Sequence, residues 1–176
     1  MVDTVAIVRE FLATTVAAPA SSTLTAGITA AATTMTLVSG ATFPANQSFV
    51  VKIDSEWIHV TRTTNTLNVE TWGRGAFGTT AAAHALGATV SLGNLYQIVG
   101  GAIMCPLLHS GYENTSPAIV FQTRGGDAEI RHDLLKPSFQ FKCFGGSASP
   151  RDAKAVYRAL RDRFNGQHGQ DTGQGR

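Results

Sequence analysis

Charge is scarce in this chain. Lys, Arg, Asp and Glu together supply 15% of its 176 residues, and the formal net charge is only +2. A surplus that small gives no electrostatic case for nucleic acid or an anionic membrane as partner. Cysteine is scarcer still. Cys105 and Cys143 are the only two, without CxxC or Cys/His spacing. That usage suits a reducing compartment and two buried thiols, while a single bridge between them stays compatible. No apolar run approaches the roughly 20 residues that span a bilayer. The start, "MVDTVAIVREFL", carries Asp3, Arg9 and Glu10 and does not read as a signal peptide. These absences predict a soluble, non-secreted protein. Hydrophobic residues nevertheless reach 43%, enough for a buried core and against wholesale disorder.

Catalytic and cofactor motifs are missing too. "GRGAFG", residues 73–78, has the G-x-G-x-x-G pattern of a dinucleotide loop. That loop needs a following helix and an acidic residue about 20 positions on, to hold the ribose. Between Gly78 and Glu113 there is no Asp or Glu, and the surroundings are strand-rich. The glycines therefore read as turns that need positive φ. No Gly-Lys-Ser/Thr and no G-x-S-x-G occurs, and the five histidines (59, 84, 109, 132, 168) lack zinc-like spacing. Asp54 and Glu56, in "DSE", would share one strand face as an acid pair or cation site, or more simply as a solvated face or an internal salt bridge. The sequence calls for no cofactor, no metal and no enzyme activity.

What is present changes character twice. Residues 1–20 read as a helix, with Asp3 as N-cap and Val5, Val8, Phe11, Leu12 and Val16 on one face. Residues 21–93 are rich in Thr, Ala, Gly and Val. They offer short strands, "TMTLVS", "SFVVKID", "EWIHVTR", "TLNVETW" and "ATVSL", separated by turns. After Gly93 the chain carries ten of the fourteen Lys/Arg and seven of the twelve Asp/Glu. "SPAIVFQTRGG" and "PSFQFKCFGG" look like strands that end in double glycines, and a further strand is expected within 95–105. In the second of these strands Phe139, Phe141 and Cys143 alternate with Gln140 and Lys142. "SPRDAKAVYRALRDRF" is the clearest helix. Ser149 is its N-cap and Pro150 its first residue, with Ala153, Val156, Tyr157, Leu160 and Phe164 as apolar stripe. The tail 166–176 is polar and Gly-rich, with nothing to fold on alone; a neighbouring subunit is the simplest element to hold it.

The expected fold is therefore α+β: a small mixed sheet flanked by N- and C-terminal helices, from residues 1–20 and 94–165, with an all-β module inserted at 21–93. Arg124, Asp127, Glu129, Arg131, Asp133 and Lys136 form a mixed-sign segment suited to inter-subunit ion pairs.

Two resemblances follow these boundaries. The elements "FP", "IDSEW" and "RGAFGTTAAAHALGATV" resemble a small β module that recurs in bacteriophage virion proteins. In that context Glu56, Arg74 and His84 are candidates for internal polar contacts. The rest is similar, in the order of "TVAIVREFL", "GGAIMCPLL", "SPAIVFQTRGG", "RHDLLKPSFQFKCFGG" and "SPRDAKAVYRALRDRF", to tail-terminator (tail-completion) proteins of long-tailed phages. That family has only a short loop where this chain carries its module. The resemblance implies a ring of identical subunits, hexameric in that family, that caps the tail tube and joins it to the head–neck connector. It places the protein in the virion after assembly in the host cytoplasm, without nucleic-acid specificity. The competing reading is a tail or baseplate binding module whose β insert recognises a carbohydrate or another virion protein.

Overall fold

Alternation of apolar and polar residues builds the first part of the chain. In a computed structural model describing residues 4–13, 19–100, 102–104, 116–129, 134–146 and 149–165, six strands form one antiparallel sheet. They are β1 (Ser21–Thr23), β2 (Thr34–Thr36), β3 (Ser48–Ile53), β4 (Glu56–Thr63), β5 (Thr66–Val69) and β6 (Thr89–Leu92), in the order β1-β6-β3-β4-β5-β2. The two edges meet: Leu24 pairs with Leu37, Thr25 N donates to Thr36 O at 2.9 Å, and Val38 N donates to Thr23 O at 2.9 Å. The sheet thus curls closed and leaves no free edge there. Val51, Ile53, Ile58, Val60, Leu67 and Val90 point inward, with Leu24, Met35, Leu37 and Phe43 completing the core.

The other elements form a second assembly. Here β7 (Ile103–Met104) runs parallel to β8 (Pro117–Glu129), which is antiparallel to β9 (Leu134–Gly145), making a three-stranded mixed sheet. Helix α3 (Pro150–Phe164) packs on β9 and β8, while α1 (Thr4–Ala13) lies against β7 and α2 (Leu95–Val99). Gly145 is required where α3 seats, because a Cβ there would lie 2.6 Å from Ala153 N. Phe121, Phe139 and Phe141 cluster on one side of the sheet. Phe141 meets Phe164 with ring centroids 5.6 Å apart, and Phe164 meets Phe11 at 5.1 Å. Arg163 ties α3 to α1, donating to Phe11 O through Nη2 at 2.6 Å with its guanidinium over the Phe11 ring. The chain is α+β, and its contacts separate into two compact units, Val16–Asn94 and Met1–Thr15 with Leu95–Arg176.

Several expectations need correction. Residues 95–99 are helical and β7 is only two residues long, where a strand was expected over 95–105. "LYQIV" is β-branched and aromatic, yet Leu95, Ile98 and Val99 fall on one helical face and are all buried. β8 does not stop at its double glycine. It passes through a bulge in which Arg124 and Gly125 oppose the single residue Ser138, with Gly125 at φ 95. In α3 the buried residues are Asp152, Ala155, Val156 and Leu160, whereas Tyr157 is 56% and Phe164 41% exposed. Ser149 stands at the N-cap without a side-chain capping bond. Strand β5 ends at Val69, before Trp72, and β1 had no strong signal in "SST". Asp3, Val16, Cys105 and the tail from Gly166 lie outside the described residues.

Candidate functional site

Strand β4 opens with Glu56, the register partner of Ile53 across a two-residue turn. Its inward parity, shared with Ile58 and Val60, carries a carboxylate to the end of the apolar core, where it is fully buried. Isolated ionisation there would be prohibitive. The carboxylate is instead saturated. Oε1 accepts from Arg74 Nε at 2.7 Å and from Gly75 N at 3.0 Å. Oε2 accepts from Arg74 Nη2 at 2.8 Å, Ala82 N at 3.0 Å and His84 Nε2 at 2.9 Å. Burial pushes the Glu56 carboxyl up, but Arg74, Ala82, His84 and Gly75 together outweigh it and hold it at about 2. Five donors occupy the acceptor sites of one carboxylate, so none remains for a metal or a proton acceptor role.

The partners are equally committed. Arg74 also donates to Ala82 O at 2.6 Å and Thr29 O at 2.8 Å, tying the β1–β2 and β5–β6 connections to one guanidinium. His84 reaches a second carboxylate, Asp54 Oδ2, from Nδ1 at 2.7 Å. Asp54 does not share a strand face with Glu56, as alternation suggested. It sits in the β3–β4 turn at φ 51, and His84 is what joins the two. The structure thus brings Glu56, Arg74 and His84 together and adds Asp54. Its chemistry is that of a structural lock, with no open position for substrate.

The glycines of "GRGAFG" serve this lock. Gly75 has φ 65, and a Cβ on Gly73 would lie 2.6 Å from His59 O. Residues 79–88 contain no helix, so nothing presents an N-terminus to a phosphate. The loop lays Ala76 and Phe77 over the outer side of β4, where Phe77 packs edge-on to Trp57 and beside His59.

The mixed-sign segment divides differently. Arg124 is exposed in the β8 bulge. Asp127 and Glu129 lie on β8 opposite Lys136 and Leu134 of β9. Arg131 and Asp133 lie outside the described residues. Cys143 is a free thiol on β9 that burial pushes up to about 11, so it is not a reactive nucleophile at neutral pH. Among the described residues no helix is long and apolar enough to cross a membrane.

One residue was missed altogether. Trp72 is 91% exposed and sits at φ 61 in the turn closed by Gly73 N donating to Glu70 O at 2.7 Å. An aromatic next to a strand reads as part of the strand, and only the following glycine hinted at a turn. No protein-family model, curated protein or solved structure matches this chain.

Proposed function

We propose that this protein is a ring-forming structural component of a phage tail, of the tail-terminator kind, in which six identical subunits cap the tail tube and meet a head–neck connector. The observation that carries the reading is the form of the three-stranded sheet. Helix α1, then β7, β8, β9 and α3 occur in the order that the resemblance implies, with the short helix α2 added before β7, and β9 ends the sheet as a 12-residue edge with no strand beyond it among the described residues. A long unpaired edge invites pairing with another chain, and natural proteins normally blunt or cover it. In a closed ring each such edge meets a different patch of the next subunit, and no copy is left with an open one.

The β8–β9 hairpin supports the same reading. Helix α3 ends at Phe164 against Phe141, whereas β9 starts seven residues earlier at Leu134. The remaining strand spans about 20 Å, enough to reach a neighbouring subunit. Arg124, Asp127, Glu129 and Lys136 belong to strands β8 and β9 of this hairpin, and charge pairing with a neighbouring subunit would set register more than affinity. The reading assigns no reaction, cofactor or nucleic-acid specificity to the chain, and it places the protein in the virion.

Size-exclusion chromatography with light scattering tests the ring. The expected mass is six times the 18.5 kDa subunit. A monomer at all concentrations would overturn it. In particles lacking the protein, tails of uncontrolled length or tails unable to join heads are expected.

A further inference from the structure

The outer side of the closed sheet has a second feature that the ring does not use. Beyond the loop that covers Trp57 and His59, the outward parity of β4 continues as Thr61 and Thr63. Register then sets two rows across three strands. Thr61 faces Asn68, which faces Thr34; Thr63 faces Thr66, which faces Thr36. Six uncharged side chains thereby stand in a grid with about 4.8 Å between strands and about 7 Å along them. Thr34, Thr36 and Thr63 are exposed and the other three half-buried. Asn68 Nδ2 donates to Thr63 Oγ1 at 3.1 Å, which pre-orders part of the grid. Trp72 stands three residues beyond the end of β5.

Burial in the core does not account for Trp72. Its backbone occupies the left-handed region, which a bulky residue adopts at a cost and Gly or Asn adopts readily. Its indole is left in water instead of being buried in compensation. A bulky side chain held at a backbone cost and unused by the core is a candidate for contact with a ligand.

From this face we infer that the β module binds a neutral polysaccharide, with Trp72 stacking on a sugar ring and the Thr/Asn grid exchanging hydrogen bonds with its hydroxyls. Charge matching favours this partner. None of the six grid side chains ionises, so a charged polymer or an ionic protein patch would lose its hydration there without gaining a counter-charge. A sugar offers an apolar ring face for the indole and hydroxyls that both donate and accept, as the threonines do. The inference is independent of the ring, because it concerns a different unit.

Affinity electrophoresis of the full chain tests it, using gels containing dextran, galactomannan or mixed-linkage β-glucan, with alginate as the anionic control. At least one neutral gel is expected to retard the protein two-fold or more relative to a plain gel, with no retardation in alginate. Trp72→Asn, which suits the backbone, should melt no lower than the parent and lose the retardation. Thr34→Val with Thr36→Val should weaken it several-fold. Passage of the parent through every neutral gel without delay, retardation in alginate alone, or equal retardation of Trp72→Asn would each overturn the proposal. The mass of the ring would be untouched by any of these outcomes.

Discussion

Arg74 grips both oxygens of the buried Glu56 carboxylate, from Nε at 2.7 Å and Nη2 at 2.8 Å, across 18 residues of sequence. Removing one partner of such a pair strands the other charge in an apolar surround, and that loss is typically about 3–5 kcal/mol. Arg74→Ala is therefore expected to destabilise the β module by about that much, measured by urea unfolding. Arg74→Lys should recover only part of it, because an ammonium cannot donate to both oxygens and to the carbonyls of Thr29 and Ala82 together. A loss below about 1 kcal/mol for Arg74→Ala would mean that the lock does not hold the loops.

The same carboxylate sets an acid limit. Its folded value of about 2 lies below the ordinary 4.5, so the folded state binds its proton more weakly than the unfolded state does. The stability this contributes is fully present above pH 4.5 and is lost as pH falls through 4.5 toward 2. Midpoints of urea unfolding followed from pH 6 down to 2.5 should fall over that window. In Glu56→Gln, which is less stable at neutral pH, the fall should be shallower. Parallel profiles for the two proteins would place the acid sensitivity elsewhere.

Trp72 offers a test of opposite sign. At φ 61 a non-glycine residue carries a cost of about 1 kcal/mol that Asn or Gly relieves, and burial returns little to an indole that is 91% exposed. Trp72→Gly and Trp72→Asn are expected to leave stability unchanged or raise it by up to about 1 kcal/mol. Destabilisation by 2 kcal/mol or more would show that the indole is a packing residue after all.

What could be read from the sequence follows from which forces are local. The strands of the module were legible because inward Val51, Ile53, Ile58 and Val60 alternate with polar or covered neighbours, a period-two signal that needs no partner. The polar cluster was legible as residue types, but its geometry was not. Asp54 lies two positions from Glu56, as it would on one strand face, yet a left-handed turn separates them and a histidine 30 residues away reunites them. Residues 95–99 misled because β-propensity favoured a strand, while burial of Leu95, Ile98 and Val99 chose a helix. The Thr/Asn grid depends on register across three strands, which a single sequence does not encode in any one segment.

Helix α3 separates packing from surface in one pair of substitutions. Leu160 is 4% exposed, whereas Tyr157, which the apolar stripe had included, is 56% exposed. Leu160→Ala is expected to cost about 2–5 kcal/mol, as for other truncations that leave a core cavity. Tyr157→Ala should cost less than about 1 kcal/mol in the isolated subunit, since it removes little buried area. Equal losses would mean that α3 seats on the sheet in a different rotation. If Tyr157→Ala spares the subunit but lowers the assembled mass, the outer face of α3 belongs to the ring contact.

The division of the chain gives the last test. The three-stranded sheet, α1, α2 and α3 all belong to the unit formed by Met1–Thr15 and Leu95–Arg176. Residues Val16–Asn94 are then, for that unit, one long excursion between α1 and α2. Closing a loop depends on its length only logarithmically, so a ten-residue Gly/Ser bridge in place of the excursion should change stability by no more than about 2 kcal/mol. The expected product is a folded protein with a cooperative melt that still assembles, with a particle mass six times that of the shortened chain. It should also be free of any delay in neutral polysaccharide gels, because Trp72 and the grid leave with the module. A shortened chain that folds but stays monomeric would move the ring contact onto the β module. One that aggregates without a cooperative melt would show that the core of the second unit is incomplete without the first.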